Sequence, residues 1–280
     1  MGKIRVGIFG MGRLGQACRE LVTSRSDEFE LVECWTRENA KTVVDFKNKV
    51  DVILVCVGSA QDAPQVTHKL AKHFCTVDSF DTHAKLGEYM SKIKKTQGTG
   101  LVSIVGTGWD PGLLSVVRLH LASLFDEVKT FWGPGVSLGH SNAIRTIDGV
   151  KDAIQFTIPV IKRNTHKRIC HVVAPKHLRR RIAKEIKTMP HYFAPYKTKV
   201  KFKEFLQVQN HHAGQIFAGD DMSSAEFKIS LTNNPHLTAQ IMLSYAIASV
   251  NIKNRGLSGV FTVADIAPKY LFKTFKKELI

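Results

Sequence analysis

The sequence predicts an α/β protein in two parts: a doubly wound parallel sheet first, then a second, mixed α+β domain. Three observations predict it. Apolar runs of strand length alternate with helical patterns over residues 1–117. A glycine triplet, Gly10-x-Gly12-x-x-Gly15, ends the first apolar run and opens the first helical pattern. Over residues 118–251 the pattern becomes sheet-rich with few crossovers, and residues 252–280 are expected to pack back on the first part.

The first strand carries Ile4, Val6, Ile8 and Phe9, the apolar, β-branched and aromatic content of a buried parallel strand. Leu14, Ala17, Cys18 and Leu21 then recur at helical spacing. Strand, glycine turn and helix in that order make a dinucleotide site of Rossmann type: Gly10 for the tight turn, Gly12 for close approach of a pyrophosphate, Gly15 for helix–strand packing. The helix N-terminus offers free N–H groups to the phosphates. The second strand, Phe29–Trp35, ends at Thr36-Arg37. An arginine there suits a 2′-phosphate and favours NADP, whereas Glu38 beside it suits a ribose 2′-hydroxyl.

Further strands are expected at Val50–Val57, Cys75–Val77 and Leu101–Val105, with helices at Pro64–Phe74 and Thr82–Lys95. Their ends carry Gly58-Ser59-Ala60, Asp78–Asp81 and Gly106–Gly112, which with Gly10–Gly15 should meet at the carboxyl edge of the sheet, where ligands of such folds bind. Asp81 and Asp110 would lie there beside Trp109, as partners for a cationic group; each also precedes a helix, where an aspartate serves as an N-cap. Beyond them we expect helix Leu114–Leu124, strand Val128–Trp132, a glycine-rich segment Gly133–Gly139 and a helix at Lys151–Phe156. Strands at Arg168–Ala174, Thr198–Phe205, Gly214–Phe217 and Ala225–Leu231 and helix Pro235–Asn251 complete the second domain.

The composition is that of a soluble globular chain, 44% hydrophobic and 23% charged. No apolar run approaches the ~18 residues of a membrane helix, and the opening residues lack the pattern of a signal peptide. Five scattered cysteines without CxxC read as reduced core thiols in a cytoplasmic protein, not as disulfides or a metal site. The net charge of +16 is concentrated between Lys162 and Lys187, where Glu185 is the one acid. With no interleaved aromatics, that stretch reads as the solvated face of a helix, Leu178–Met189, with Ile182 and Ile186 inward; a non-catalytic nucleic-acid binder is the rival.

Several segments together resemble the meso-diaminopimelate dehydrogenase family: IRVGIFGMGRLG, CVGSA, CTVDSFDTH, TGWDPG, TFWGPGVSLGHS, THKR, TMPHYF, NNPHLTA and SGVFTV, spanning Ile4 to Val263. The resemblance implies NADP-dependent oxidative deamination at the D-centre of meso-2,6-diaminopimelate in lysine and cell-wall metabolism. It also implies a cytoplasmic homodimer with a Rossmann domain and a substrate and dimerisation domain. It assigns Asp81 and Asp110 to the reacting amine, and Trp109 and Trp132 to the pocket wall. Thr157, Arg168 and His212 fall to the distal carboxylate, Asn234 to the distal amine, and Leu138 and Gly139 to the substrate pocket. Gly10, Met11, Gly12, Arg13, Leu14, Thr36, Arg37, Gly58, Ser59, Ala60, Ser79 and Phe80 fall to the cofactor.

The chain departs from the family pattern at four places. Leu138 stands where a glutamine is expected, and Glu38 where a second arginine is expected. HHAGQ replaces HGG, so that His211 and His212 compete for one role, and only Val160–Asn164 separates TIP from THKR. A broader D-amino-acid dehydrogenase of the same fold is the alternative these departures raise.

Overall fold

The computed structural model describes all residues except 1, 60, 164, 191, 208–210, 275, 276 and 280. The chain divides into two compact units, Met1–Leu119 with Pro235–Ile280, and His120–Asn234.

In the first unit β1 (Ile4–Phe9), β2 (Phe29–Trp35), β3 (Val52–Val55), β4 (Cys75–Asp78), β5 (Val102–Val105) and β13 (Gly259–Thr262) form one parallel sheet. Its order is β13-β5-β4-β3-β1-β2. The chain leaves β1 for β2 on one side and continues to β3 on the other, so the strand order reverses at β1, the switch point where such sheets bind ligands. Ile4, Val6 and Ile8 pack on one face with Ala17, Cys18 and Val22 of α1 (Arg13–Ser24). Ala239, Met242, Leu243 and Ala246 of α7 (Asn234–Lys253) join that cluster. The other face is covered by Phe9, Trp35, Ile53, Val55 and Phe74, and by Ala63, Phe80, Tyr89 and Ile93 from α2 (Ala63–Leu70), α3 (Leu86–Thr96) and the loop before it. Covered on both faces, these strands carry the continuous apolar runs that parallel sheets need. Gly7 has a packing role inside β1: a Cβ there would stand 2.5 Å from the Trp35 ring.

Helix α7 corrects the domain boundary expected at residue 251: its buried residues belong to the core of the first unit. An apolar helix signals burial, but not against which sheet.

The second unit holds two sheets. One is β10-β9-β8-β7, from β7 (Gly135–Val136), β8 (Asp152–Val160), β9 (Thr165–Val173) and β10 (Lys197–Phe202). The other is β12-β11-β6, from β6 (Val128–Trp132), β11 (His212–Gly219) and β12 (Ser224–Leu231). One expectation fails here. Lys151–Phe156 is not a helix; from Asp152 it runs as β8, antiparallel to β9. Its Ile154, Phe156, Thr157 and Ile158 are β-branched or aromatic, and the pairing with β9 overrides the local helical spacing. The glycine-rich segment Gly133–Gly139 contains β7 and the first turn of α5 (Leu138–Arg145), whose N-cap Ser137 accepts the His140 N–H. In the basic helix α6 (Arg179–Thr188), Ile182 and Ile186 are fully buried, as the periodicity predicts.

Candidate active site

At the end of β1 the backbone turns through Gly10, whose φ of +99° disfavours any side chain, and a Cβ there would stand 2.6 Å from the Cys56 carbonyl oxygen. A Cβ on Gly15 would collide with the Gly10 carbonyl oxygen, so α1 lies against the turn as closely as backbone allows. At Gly12, by contrast, nothing lies within 4 Å of the Cβ position, and Gly12 N-caps α1 without a side-chain bond. The first turn of α1 carries no acidic residue. A bare, positively polarised helix start fits the pyrophosphate of a dinucleotide. Met11, Arg13 and Leu14 complete this turn.

Thr36 follows β2, with its N–H on the Asn39 side-chain oxygen at 2.7 Å. Arg37 is 82% exposed and forms an ion pair with Asp62, a partner that the sequence does not announce. Gly58 and Ser59 follow β3; Ala60 lies outside the described residues. The Ser59 hydroxyl accepts the Asp81 N–H at 3.2 Å, which ties the loop after β3 to the loop after β4, where Ser79 and Phe80 sit.

The two crest carboxylates differ. Asp81 is exposed to solvent, yet the density of protein around it raises its pKa by desolvation, against the pull of Ser59. Asp110 has a side chain only 4% exposed and forms an ion pair with Arg118 of α4 (Leu113–Ala122). The N-cap role expected as the alternative is not what the structure shows for either residue. Thr82 occupies the N-cap before the short helical turn His83–Lys85, without a side-chain cap bond. Asp110 stands ahead of α4 and faces Arg118 instead. Trp109, 8% exposed, precedes Asp110, and the Asp110–Pro111 bond is cis.

In the second unit a cation is buried. Arg168 on β9 is 7% exposed, and its Nε and Nη1 atoms are buried with no hydrogen-bond partner. The guanidinium lies 4.1 Å over the Tyr196 ring. Burial lowers its pKa while Tyr196 opposes that shift. Thr157 pairs with Arg168 across β8 and β9 and is itself buried. Its hydroxyl accepts from the Gln155 amide at 3.2 Å, so its own proton is left to donate. The His212 Nδ1 lies 2.8 Å from both the N–H and the carbonyl oxygen of Ala213, so the backbone of Ala213 fixes the orientation of the ring. His212 is buried at the start of β11 while His211 is exposed.

Burial, with Arg168 and His212 adding repulsion, pushes the His140 pKa well down; burial and Arg168 lower that of His166. A desolvated arginine near His140 and His166, whose pKa values are lowered, and with buried Nε and Nη1 atoms left unpartnered has the chemistry to bind a carboxylate. The His166 Nε2 accepts the backbone N–H of Trp132 at 3.0 Å. Leu138 and Gly139 open α5, and Asn234, 6% exposed, opens α7.

Sequence reasoning missed Arg118, Asp62, Tyr196 and the histidines at 140 and 166, because their roles depend on contacts between separate segments of the fold. Among the described residues no cluster of His, Cys, Asp and Glu has the arrangement to hold a metal. No helix among them is long and apolar enough to cross a membrane.

Comparison with known proteins gives a consistent set of similarities. A family model described as the diaminopimelic acid dehydrogenase C-terminal domain matches residues 108–243. The meso-diaminopimelate D-dehydrogenase of Ureibacillus thermosphaericus is 36% identical over 95% of this chain and 94% of its own. The structure of C. glutamicum DAP dehydrogenase in complex with DAP superposes with a TM-score of 0.94 at 32% identity, covering 100% of this chain and 98% of that one. An engineered D-amino acid dehydrogenase bound to NADP+ superposes with a TM-score of 0.92 at 32% identity, covering 99% and 98%.

Proposed function

The chain belongs to the meso-diaminopimelate D-dehydrogenase family, and on that premise we propose that it oxidatively deaminates the D-centre of meso-2,6-diaminopimelate with NADP+ as acceptor. The products are ammonia and L-2-amino-6-oxopimelate, which cyclises to tetrahydrodipicolinate. The observation that carries this reading is the Arg168 guanidinium, buried with Nε and Nη1 unpartnered. A buried cation so poised favours an anionic ligand, and diaminopimelate brings a carboxylate at the end remote from the reaction.

Gly10, Met11, Gly12, Arg13 and Leu14 would hold the pyrophosphate of NADP+, Thr36 and Arg37 its 2′-phosphate, and Gly58, Ser59, Ser79 and Phe80 would flank the rest. Bound NADP+ supplies the two-electron acceptor. Everything else is done by side chains. Asp81 and Asp110 hold the ammonium of the D-centre and accept its proton directly or through water, so that the nitrogen lone pair is free to form the imine that water then hydrolyses. Trp109 and Trp132 each offer an indole ring to the substrate. Arg168, the Thr157 hydroxyl and the His212 ring hold the distal carboxylate, and Asn234 the distal amine. Leu138 and Gly139 line the pocket toward that distal end.

The test is NADP+ reduction on meso-, LL- and DD-diaminopimelate and on short D-amino acids. Turnover of the meso and DD isomers with silence on LL is the expected result; silence on meso, or equal rates on LL, would sink the proposal. Leu138 favours a second, broader reading, in which D-amino acids lacking the distal end are also turned over, since an apolar side chain replaces a polar contact there. On the same premise the protein works as a cytoplasmic homodimer in lysine biosynthesis, and its dimerisation is checked by sedimentation.

A further inference from the structure

Beneath the two carboxylates lies a third, Asp78, the last residue of β4. It is 1% exposed, and both its oxygens are in use. Oδ1 accepts the Phe80 N–H at 2.9 Å and the Gly106 N–H at 3.2 Å. Oδ2 accepts from the Tyr89 hydroxyl at 2.7 Å, and Tyr89 in turn lies 2.6 Å from the Thr67 hydroxyl. The main-chain oxygen of Asp78 accepts both the N–H and the hydroxyl of Thr107, at 2.8 and 2.9 Å. One residue therefore binds two loops at once. Phe80, which precedes Asp81, is further fixed by stacking on Tyr89, with ring centroids 4.0 Å apart. Gly106 and Thr107 open the loop that ends in Asp110, and a Cβ on Gly106 would sit 3.5 Å from the Phe80 carbonyl oxygen.

We infer that Asp78 is a positioning residue, a tie under the loops after β4 and β5 that fixes where Asp81 and Asp110 stand for proton transfer. The inference rests on the function proposed above. Retention of a carboxylate here comes at a cost: burial pushes its pKa up to about 6 against the pull of the Phe80, Tyr89 and Gly106 bonds. The hydrogen-bond inventory also says what can replace it. An asparagine keeps Oδ1 for both backbone N–H groups and donates through Nδ2 to the Tyr89 oxygen, which then donates to Thr67. Alanine or leucine leaves the Phe80 and Gly106 N–H groups without their acceptor.

The experiment compares Asp78→Ala, Asp78→Leu and Asp78→Asn with the unmodified protein, each well below its own melting temperature. It reads kcat and KM on meso-diaminopimelate with NADP+, and amide exchange at Phe80 and Gly106. With alanine or leucine, kcat falls about 100-fold, the loss expected for a reacting group displaced by about an ångström, while KM moves less than about threefold. Asparagine restores kcat to within about fivefold. Both amides are protected in the unmodified protein, although they lie beyond the strand ends. A folded Asp78→Ala enzyme with undiminished kcat, or Asp78→Asn as slow as alanine, overturns the inference. If neither alanine nor leucine gives a folded protein, the exchange alone decides: amides at Phe80 and Gly106 exchanging as fast as the exposed loop at Arg37 overturn it. An unmodified protein inactive on meso-diaminopimelate defeats the proposed function instead, and the amide protection still reports on the tie.

Discussion

The Asp110 carboxylate is held by Arg118, which reaches it from two turns into α4 and donates also to the Ser115 hydroxyl at 3.1 Å. The pair is lopsided, with side-chain exposures of 4% for the acid and 24% for the base. Removing the base leaves a nearly buried carboxylate without its nearest cation, whereas Asp110→Asn removes the charge at the reacting amine and keeps the shape. We expect Asp110→Asn to lower kcat by about 100-fold or more with a smaller change in KM. Arg118→Met should destabilise the fold by about 1–3 kcal/mol, below the full cost of a broken buried pair because Arg118 is partly solvated. Steady-state kinetics and thermal unfolding check both, and an Asp110→Asn enzyme with normal kcat removes Asp110 from the chemistry.

In the proposed function Arg168 grips the distal carboxylate. A grip on the distal carboxylate serves ground state and transition state alike, so its loss appears in KM. Arg168→Met, which keeps length and apolar contact with the Tyr196 ring, should raise KM for meso-diaminopimelate by about 100-fold, the worth of a charge-assisted bond of about 3 kcal/mol. Short D-amino acids, which lack the distal carboxylate, should be little affected. Loss of D-alanine and diaminopimelate turnover together would mean that Arg168 serves some other purpose.

In the proposed function cofactor choice turns on Arg37, which forms an ion pair with Asp62. The site is exposed, so the full 1.5–3 kcal/mol of a charge-assisted bond is discounted to about 1–2 kcal/mol. Arg37→Ala should therefore cost NADP+ about five- to thirtyfold in kcat/KM and NAD+ little. Asp62→Ala, which frees the guanidinium, should shift selectivity the other way. Equal losses on both cofactors in Arg37→Ala would show that Arg37 does not read the 2′-phosphate.

Stability should fall on mild acidification. Burial is the largest cause lowering the pKa of His68, His140, His166 and His171 from its ordinary 6.5. The folded protein thus binds fewer protons than the unfolded chain below 6.5, and the stability present at pH 7.5 is lost as pH falls through that value. Asp78 and Asp81 have raised pKa values and work in the opposite sense, but between the ordinary 3.8 and, for Asp78, about 6. From pH 7.5 to 6 the histidines decide. The melting temperature should drop over that interval, and drop less in His140→Gln; a flat or rising profile would contradict the assignment.

These expectations also show what a sequence carries. The glycine turn is legible because the φ of Gly10, the bare helix start at Gly12 and the close approach of Gly15 to Gly10 are local requirements, although Cys56 also crowds Gly10 from a distant strand end. Asp81, Asp110 and Arg168 stood out by residue type and motif. What stayed hidden depends on pairing across distance. β8 read as a helix because its partner β9 cannot be inferred from six residues, and α7 read as part of the second domain because its apolar surface does not name the sheet it covers. Asp78 looked like the end of a strand; its three acceptor bonds come from Phe80, Tyr89 and Gly106, on three separate segments.

Leu138 gives the last prediction. It begins α5 directly after Ser137, whose hydroxyl lies 2.5 Å from the His140 Nδ1, and it is half-buried. An apolar side chain there neither rewards a polar distal group nor is left unpaired by its absence, so the site discriminates weakly between diaminopimelate and a shorter D-amino acid. A glutamine at this place would need a partner, and an analogue lacking one would leave its amide unsatisfied at a cost of about 1–3 kcal/mol. Leu138→Gln should therefore lower kcat/KM for short D-amino acids relative to meso-diaminopimelate by about tenfold or more. The ratio of the two kcat/KM values, before and after substitution, is the measurement. An unchanged ratio would show that position 138 does not set specificity and that the short substrates, if turned over, are admitted for another reason.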